Sequence, residues 1–486
     1  MNNEKILDKS KFTLVQQDKV IYDEKIETEP IGYFKDAWIR FRKNKVSVLA
    51  FIILMIIFFF TLFGPYLNSY SFNDKDVRIA TLPPRIPGIE KLGIFDGTKV
   101  YKDYTMTRYT QIPEDIVIST SNVHTKPRCD GNPYGDVCYK NGVEIPWTYT
   151  TFMDIKVDDY KYRNWINSHD EKKYLTLSQS QFEEVDPSII IGTPEEISAK
   201  MVRYVALDEN GVEKEYIVSL ETFSSIDPDT VISEEHYTRT MYKLYVDYWQ
   251  YMGYEEGEMP YFWFGTDQEG RDLFTSIWIG TRTSFIVSFT VATINIMIGI
   301  VLGAICGYYG GKVDLYLQRI FEIVSEIPLL AVLTILILRF GSTMWVVVLA
   351  FTLTGWVGTS RMVRAQFYRY KNREYVLAAR SLGASDVRIM ARHIFPNALG
   401  MIITSTVLQI PFIIFTESNF SFLSIINYGT TTSLGRIISY GQEVMNTSVH
   451  ILLFPGIIIS LLMLSFNMFG NGLRDAFNPS LRGVEE

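Results

Sequence analysis

The sequence is poor in the residues that build metal centres and nucleotide-binding loops. Its 486 residues include five histidines and three cysteines. Because these form neither an HExxH motif nor a paired CxxC, the sequence predicts no metal site. It also lacks the GxxxxGK[ST] loop that cradles phosphates, since GYYGGKVD at 307–314 has the wrong spacing. We therefore expect the chain to bind no cofactor and to hydrolyse no ATP itself.

The charge is distributed unevenly along the chain, whose formal net charge is -8. Residues 66–263 carry 20 Lys and Arg against 33 Asp and Glu, a net charge of -13, while the remainder of the chain is +5. An acidic middle within a basic, hydrophobic frame is not the pattern of a nucleic-acid-binding protein. Nucleic acid is therefore excluded as a partner.

Apolar segments long enough, or nearly so, to cross a hydrocarbon core of roughly 20 helical residues occur six times. They lie at 46–67, 285–309, 327–340, 344–363, 394–416 and 451–470. The first contains no charge and is too long for a cleaved signal peptide, so it predicts a permanent anchor in the lipid membrane. The third is short, and we expect it to extend back through Phe321. Glu322 and Glu326 would then lie one helical turn apart and are candidates for lining a solute path.

Basic residues predict the orientation of the chain, because cytoplasmic loops retain Lys and Arg. Four of them stand immediately before the first apolar segment: Arg40, Arg42, Lys43 and Lys45. The loop between the fourth and fifth segments carries eight more. Both clusters agree with a multi-pass protein of the cell membrane whose N- and C-termini are cytoplasmic and whose acidic segment lies outside.

The basic loop at about 371–396 is too strongly patterned for a simple connector. EYVLAARSLGASDVRIMARHIFPN predicts a helix over 374–382, a break at Gly383, and a second helix with Ser385 as N-cap and Asp386 in its first turn. From periodicity alone, a helical hairpin held to anionic lipid by its Arg residues fits equally well.

A family motif favours a different interpretation of this loop. It resembles the coupling loop of ABC importer permeases, whose pattern is Glu-Ala-Ala-x-x-x-Gly followed by a downstream Pro. The Ala pair, the Gly and the Pro are present, whereas Leu377 stands where Glu is usual, so no salt bridge of that Glu carries over. The resemblance assigns the contact with an ATPase to Leu377, Ala378, Ala379, Arg380, Gly383 and Pro396.

Further stretches narrow the resemblance to C-type permeases of dipeptide, oligopeptide and nickel importers. FGTDQEGRD, before the second apolar segment, is similar to a signature of that subfamily, and ESNFSFLSI at 417–425 and the block at 454–479 fit it too. The glycines of the signature permit a tight turn, and its carboxylates can cap backbone donors or pair with Arg271. We expect it to lock the outer end of the second span rather than to touch substrate. Its residues are Gly265, Thr266, Asp267, Gly270, Arg271 and Asp272.

The resemblance implies both an architecture and partners. The fold class is an α-helical polytopic membrane protein with six transmembrane helices, the type I ABC importer permease fold. The implied function is ATP-driven import of dipeptides or oligopeptides, with nickel chelates as an alternative for the same class of permease. The implied partners are a second homologous permease, two cytoplasmic ATPases that use ATP and Mg, and an extracytoplasmic binding protein. A membrane-anchored ligand sensor or scaffold is the alternative function, but one span would suffice for it.

The acidic segment lies outside this resemblance. Its alternating patches and high aromatic content predict a mixed α/β extracytoplasmic insertion domain rather than a disordered insert. Cys129 and Cys138 flank a turn-rich stretch on the side where disulfides persist, so a disulfide is expected, with two free thiols as the alternative. We expect the domain to help dock the binding protein, against the alternative of an insert that only stabilises the permease.

These inferences divide the chain into five parts. They are a cytoplasmic N-terminal segment (1–45), a first transmembrane helix (46–67), the insertion domain (68–262), a permease core with five spans and the coupling loop (263–475), and a cytoplasmic tail (476–486).

Overall fold

The structure is a computed structural model. It describes residues 33–129, 132–134, 137–141, 143–169, 174–207, 213–224, 231–429 and 431–477. Most of the predicted N-terminal segment and almost all of the predicted C-terminal tail lie outside the described residues.

Two helices open the described chain: α1 (Tyr33–Lys43) and α2 (Lys45–Phe63). They are separated at Asn44, whose side chain accepts a hydrogen bond from the backbone N–H of Ser47 and so caps α2. The apolar α2 continues through a short 3-10 turn at Gly64–Tyr66, which agrees with the predicted anchor. A Cβ at residue 64 would lie 2.6 Å from the ring of Trp278, so glycine permits the close packing of this turn.

The insertion is built from strands and short helices, as predicted. Its strands are β1 (Thr98–Thr105), β2 (Val117–Arg128), β3 (Asn132–Tyr134), β4 (Val137–Lys140), β5 (Val143–Ile145), β6 (Thr148–Asp158), β7 (Leu175–Ser178), β8 (Ile190–Leu207), β9 (Glu213–Ser219) and β10 (Val231–Val246). Its helices are α3 (Met106–Tyr109), α4 (Asp159–His169), α5 (Gln179–Glu183), α6 (Leu220–Phe223) and α7 (Tyr248–Tyr251).

The strands form three antiparallel sheets, ordered β1-β6-β2, β3-β4-β5 and β7-β10-β8-β9. In β6, Met153, Ile155 and Val157 point to one buried face because side chains alternate along a strand. The long pair β8 and β10 extends from a small core around Leu175 and Leu244.

The permease core contains the remaining helices. They are α8 (Leu273–Tyr309), α9 (Gly311–Ser325), α10 (Leu329–Phe340), α11 (Met344–Tyr370), α12 (Glu374–Ser381), α13 (Asp386–Arg388), α14 (Phe395–Phe422), α15 (Leu434–Glu443) and α16 (His450–Phe477). Within the described residues, five helices are long and apolar enough to cross a membrane, or six if the bent pair α9 and α10 is one span. The predicted count of six therefore fits.

The third span differs from its predicted form. Helices α9 and α10 meet at 69°, so the segment that we expected to continue back through Phe321 is a separate helix. Pro328 stands at the N-cap of α10, and a proline disfavours helical backbone in the residue before it. The bend therefore follows from Pro328, which the hydropathy pattern does not register.

Close packing of α8 on α11 depends on glycines spaced four residues apart. A Cβ at Gly299 would lie 2.6 Å from the side chain of Thr359, and one at Gly307 would lie 2.6 Å from the carbonyl oxygen of Arg364. Gly303 between them also meets the backbone of α11. Small residues at this spacing let two membrane helices approach closely.

The second helix of the predicted loop also differs from expectation. Ser385 occupies the N-cap position, although its hydroxyl accepts no capping hydrogen bond from the described backbone. From Asp386 the chain runs through a π-helical turn, Ile389–Ile394, directly into α14. The predicted short second helix is therefore the N-terminal part of a span that reaches Phe422.

Candidate functional site

The loop that was predicted to couple to a partner presents an apolar surface. In α12, Val376 is buried, while Leu377 is 45% exposed. Beyond the helix, Leu382 and Val387 are 88% and 70% exposed. Three large apolar side chains therefore project from one short segment. Ala378, next to Leu377, is exposed and Ala379 is half-buried. Because both side chains are small, the surface next to the large apolar residues has little relief.

Gly383 ends α12 with a backbone conformation that suits glycine. Its φ is +80°, in the left-handed region. The N–H groups of Gly383 and Ala384 donate to the carbonyl oxygens of Arg380 and Ala379 at 3.0 and 3.1 Å, as in a Schellman-type helix end. A Cβ at residue 383 would have open space around it, so its cost would come from the backbone angle.

Tyr308, near the end of α8, ties this loop to the core. Its hydroxyl donates to Oδ1 of Asp386 at 2.6 Å and accepts from Nη2 of Arg380 at 3.2 Å. The guanidinium of Arg380 also lies over the Tyr308 ring, 5.6 Å from its centroid. The backbone carbonyl of Tyr308 accepts from Lys371 Nζ at 3.4 Å. Arg380, predicted to face a partner, is thus also an internal link between α12 and α8.

An ion pair ties together the helices on either side of the Tyr308 contact. Two guanidinium nitrogens of Arg364, Nε and Nη2, donate to the two carboxylate oxygens of Asp314 at 2.6 and 2.5 Å. This two-bond geometry fixes the orientation of the two side chains relative to each other. Asp314 lies in α9 and Arg364 in α11. Sequence analysis did not single out Tyr308, Asp314 or Arg364, although GYYGGKVD contains the first two.

The GTDQEGRD signature forms a clamp at the N-terminal end of α8, the end that is predicted to be extracytoplasmic. Thr266 Oγ1 accepts from the N–H of Leu82 at 2.8 Å and donates to the carbonyl oxygen of Ile79 at 2.5 Å. The N–H of Thr81 donates to the carbonyl oxygen of Asp267 at 2.9 Å. Gly265 and Gly270 pack against the carbonyl oxygens of Leu82 and Asp76, where a Cβ would collide. We call this group of contacts the outer clamp; it holds the stem of the insertion.

The carboxylates of the outer clamp serve as backbone caps. Asp267 Oδ1 accepts from the N–H groups of Glu269 and Arg271 at 2.8 and 2.9 Å, and Asp272 caps α8 by accepting from Thr275 at 2.7 Å. Arg271 pairs with Glu269 at 2.6 Å and with neither aspartate, so capping rather than pairing is the role of the two carboxylates. Burial raises the pKa of Asp267 and of Asp272.

Another buried carboxylate lies in α14. Glu417 is fully buried and accepts hydrogen bonds from Ser284 Oγ at 2.8 Å, Ser421 Oγ at 3.0 Å and the Tyr428 hydroxyl at 3.2 Å. It therefore joins α8, α14 and the segment after α14. ESNFSFLSI was noted as a motif, and a charged residue among serines in an apolar run is the signal that marks this role.

The remaining predicted residues lie apart from the coupling loop and from the outer clamp. Glu322 and Glu326 are exposed at the end of α9, and Glu322 pairs with Arg319 at 2.7 Å. Cys138 in β4 is joined to Cys129 by a disulfide, in the insertion. Among the described residues, no group of three or more His, Cys, Asp and Glu side chains is arranged to hold a metal ion.

Comparison with known proteins identifies the family. Residues 299–483 match the model of the binding-protein-dependent transport system inner membrane component, and residues 32–84 match that of the N-terminal TM domain of oligopeptide transport permease C. The chain is 40% identical over 221 residues to the dipeptide transport system permease protein DppC of Bacillus subtilis, covering 45% of this chain and 69% of that one. The chain belongs to this permease family.

Other permeases show a similar degree of likeness. The oligopeptide transport system permease protein OppC of Bacillus subtilis is 38% identical over 220 residues, covering 45% of this chain and 72% of that one. OppC of Escherichia coli is 36% identical over 220 residues, covering 45% and 73%. A chain of the inward-facing MetNI methionine ABC transporter aligns with a TM-score of 0.35 at 15% identity, covering 42% of this permease and 96% of that chain.

Family membership bears on two of the sequence predictions. The resemblance to an importer permease is confirmed, and the chain is a multi-pass membrane transport subunit. The alternative of a membrane-anchored sensor is not favoured, because the family match spans the helical core as well as the first anchor. The outer clamp joins the end of the first matched segment, at Ile79 and Leu82, to Thr266, which lies before the second matched segment.

Proposed function

We propose that this permease imports dipeptides or oligopeptides across the cell membrane as one subunit of an ATP-binding-cassette importer. This proposal rests on the sequence similarity of the chain to dipeptide and oligopeptide permeases over the helical core. The partners would be a second homologous permease, two cytoplasmic ATPases that use ATP and Mg, and an extracytoplasmic binding protein. This chain would bind no cofactor of its own.

The coupling loop is where we propose that an ATPase docks. Leu377, Leu382 and Val387 offer exposed apolar side chains to a partner groove, and removing this apolar surface from water would favour docking. The usual Glu of the motif is absent at Leu377, so the contact here would rest on burial rather than on a salt bridge. The loop would face the cytoplasm together with both chain termini, in agreement with its basic residues.

The insertion, in this proposal, forms part of the docking surface for the binding protein. Its stem is held by the outer clamp, so the domain stands directly over the outer ends of the helices. Lys99 Nζ also donates to Ser448 Oγ at 3.2 Å, which joins β1 to the segment before α16. The net charge of -13 over residues 66–263 would attract a basic face and repel an acidic one.

The proposal is tested by transport in vesicles that contain the complete complex. Labelled dipeptides and oligopeptides should accumulate only with ATP and the binding protein, and a nickel chelate serves as the competing solute. Accumulation of the nickel chelate alone would overturn the peptide assignment, and failure of every peptide to raise ATP hydrolysis would overturn it as well.

Coupling is tested in the same vesicles with Gly383→Val. The valine would have to adopt a φ of +80°, which costs about 1 kcal/mol or more for a residue with a Cβ. We expect the variant to insert normally and to lose most of its uptake and its stimulation of ATP hydrolysis. Gly456→Val is the matched control, because that glycine has helical backbone and also has open space around it. Normal uptake by Gly383→Val would argue against docking at this loop.

A further inference from the structure

A cavity among the membrane-spanning helices carries one more inference. Its volume is about 260 Å³, and it lies between α8, α10, α11 and α14. The lining residues that matter here are Asn295, Phe351, Thr354, Gly355, Gln409 and Phe412. Phe412 is 66% exposed, so the cavity opens at the surface of this chain.

Asn295 gives this cavity an unsatisfied polar group. The residue is 3% exposed, and within the described residues its Oδ1 has no hydrogen-bond partner. Leaving a buried acceptor without a donor costs about 1–3 kcal/mol, so such an atom calls for an explanation. A polar side chain in a membrane helix also commonly marks a solute pathway.

The helix opposite leaves room for the Asn295 carboxamide. A Cβ at residue 355 in α11 would collide with the Asn295 carboxamide. Because residue 355 is glycine, the carboxamide can pack directly against the backbone of α11. Gln409 lies across the cavity in α14, and its Nε2 donates to Thr359 Oγ1 at 2.9 Å. This bond holds the second carboxamide in place. Two neutral amide groups are thus fixed on facing helices, one of them with a free acceptor.

The size and the uncharged lining indicate what this cavity can hold. Its volume is much larger than the roughly 30 Å³ share of one water molecule, and slightly below the roughly 300 Å³ where pockets for whole drug-sized molecules begin. No Asp, Glu, Lys, Arg or His of the described residues lines it. A solute segment of a few atoms with neutral polar groups fits, whereas a fixed charge would find no counterion.

We infer that this cavity contacts the peptide backbone of the solute during its passage, with Asn295 and Gln409 as hydrogen-bonding groups. A carboxamide carries the same donor and acceptor groups as a peptide bond, so it can bond to any peptide regardless of its side chains. Because the groups are neutral, the contact is weak enough to let the peptide leave. This inference rests on the proposed function and adds a binding site within it.

Photo-crosslinking in the assembled complex tests the contact directly. A benzophenone amino acid in place of Phe412 should capture a labelled peptide during turnover, and capture should require both ATP and the binding protein. The same probe in place of Leu464, an exposed apolar residue of α16 outside the cavity, is the control and should capture none. A complex that transports peptide without capture at position 412 would overturn the inference.

Two substitutions test the amides without changing the shape of the cavity. Asn295→Leu keeps the branching of the side chain, and Gln409→Met keeps its length. We expect each to lower peptide uptake by about tenfold at saturating binding protein, as expected from losing one hydrogen bond. Gln409→Asn should recover part of the loss. Asn467→Leu, the same change as at residue 295 but at an exposed position of α16, is the control and should leave uptake within about twofold.

The outcomes separate this inference from the proposed function. If the wild-type complex moves no peptide, both fail together. If the wild type moves peptides and both amide variants match the control, only the role of the cavity is wrong.

Discussion

At the scale of single residues, the Tyr308 hydroxyl joins the coupling loop to a membrane helix. Tyr308→Phe keeps the ring in its buried cluster and removes the bonds to Asp386 and Arg380. Each of these bonds is to a charged group, and such a bond contributes roughly 1.5–3 kcal/mol. We expect folding and membrane insertion to persist, while peptide-dependent stimulation of ATP hydrolysis falls severalfold in the reconstituted complex.

The neighbouring residue supplies the control. Tyr309 is 51% exposed and packs edge-on against Tyr308, so Tyr309→Phe changes a hydroxyl at the same helix end. It should leave the stimulation intact. Equal effects of the two variants would show that the loss of a hydroxyl near this helix end, rather than the specific bonds of Tyr308, explains the result.

Asp267 predicts a pH dependence of stability. Burial raises its pKa above the ordinary value of 3.8, so the folded protein holds this proton more tightly than the unfolded chain. The contribution of this residue to stability is therefore greatest below pH 3.8, is lost as pH rises through the raised pKa, and is constant above it.

Asp267→Asn removes this dependence and keeps the capping, because one side-chain oxygen accepts both backbone bonds. Thermal unfolding of the purified protein should favour the variant increasingly as pH rises from about 4, with a plateau at higher pH. Glu256→Gln, at an exposed position, is the control. A variant that is less stable than the wild type at every pH would show that the charge of Asp267 is needed in the outer clamp.

Residue-level prediction succeeded where backbone geometry restricts the choice of amino acid. Gly383 could be predicted as a break because only glycine adopts its backbone angle readily, and the capping carboxylates were expected from the turn in GTDQEGRD. Tyr308 and Asn295 could not be predicted. Their partners lie 78 and 60 residues away in sequence, at Asp386 and Gly355, and one sequence carries no signal of such pairs.

At the scale of elements, the distal half of the β8–β10 pair can be removed together with β9 and α6, which lie between its two strands in sequence. We call residues 201–237 the arm. Lys200 and Thr238 are directly paired across the two strands, so an Asn-Gly turn can join them and close a shorter hairpin. The deletion of 201–237 removes nine acidic and two basic residues and leaves the core around Leu175 and Leu244 in place. We expect normal assembly, but weaker uptake that depends on the binding protein, with the defect largest at low ionic strength.

A charge-only variant separates shape from charge in this test. It keeps the arm and carries Glu213→Gln, Glu215→Gln, Glu234→Gln and Glu235→Gln. If docking is electrostatic, this variant should lose much of the affinity for the binding protein that the deletion loses. Unchanged uptake by both variants across salt concentrations would refute a docking role for the arm.

Hydropathy predicted that the membrane helices exist, but not how each one ends. Helix α8 begins at Leu273, twelve residues before the predicted span, because Asp272 caps it and polar residues such as Thr281 and Ser284 are buried among other helices. Helix α15 was not predicted, since its apolar side packs on α14 and α16 rather than crossing the membrane. A window that averages hydropathy registers neither caps nor buried polar contacts.

At the scale of the whole molecule, the proposed orientation predicts which surfaces react in intact cells. Tyr149 in the insertion is 73% exposed and Leu382 in the coupling loop is 88% exposed. With the native thiols either in a disulfide or buried at Cys306, the background should be low. An impermeant maleimide should label Tyr149→Cys in intact cells and Leu382→Cys only after the membrane is opened. Labelling of both in intact cells would refute the orientation.

The outer clamp also explains how a domain of this size can interrupt the chain between its first and second membrane helices. Leu82 and Thr266 are 184 residues apart in sequence, yet they bond directly, and the N–H of Arg85 donates to the carbonyl oxygen of Phe262 at 2.9 Å. Closing a loop costs only about 0.6 kcal/mol more for each doubling of its length. A domain that folds by itself brings its two ends together and removes most of that cost. For the membrane helices, the folded insertion then acts as a short connection between the first and the second of them. An inserted domain at this point can therefore be gained or lost in evolution without repacking of the membrane helices.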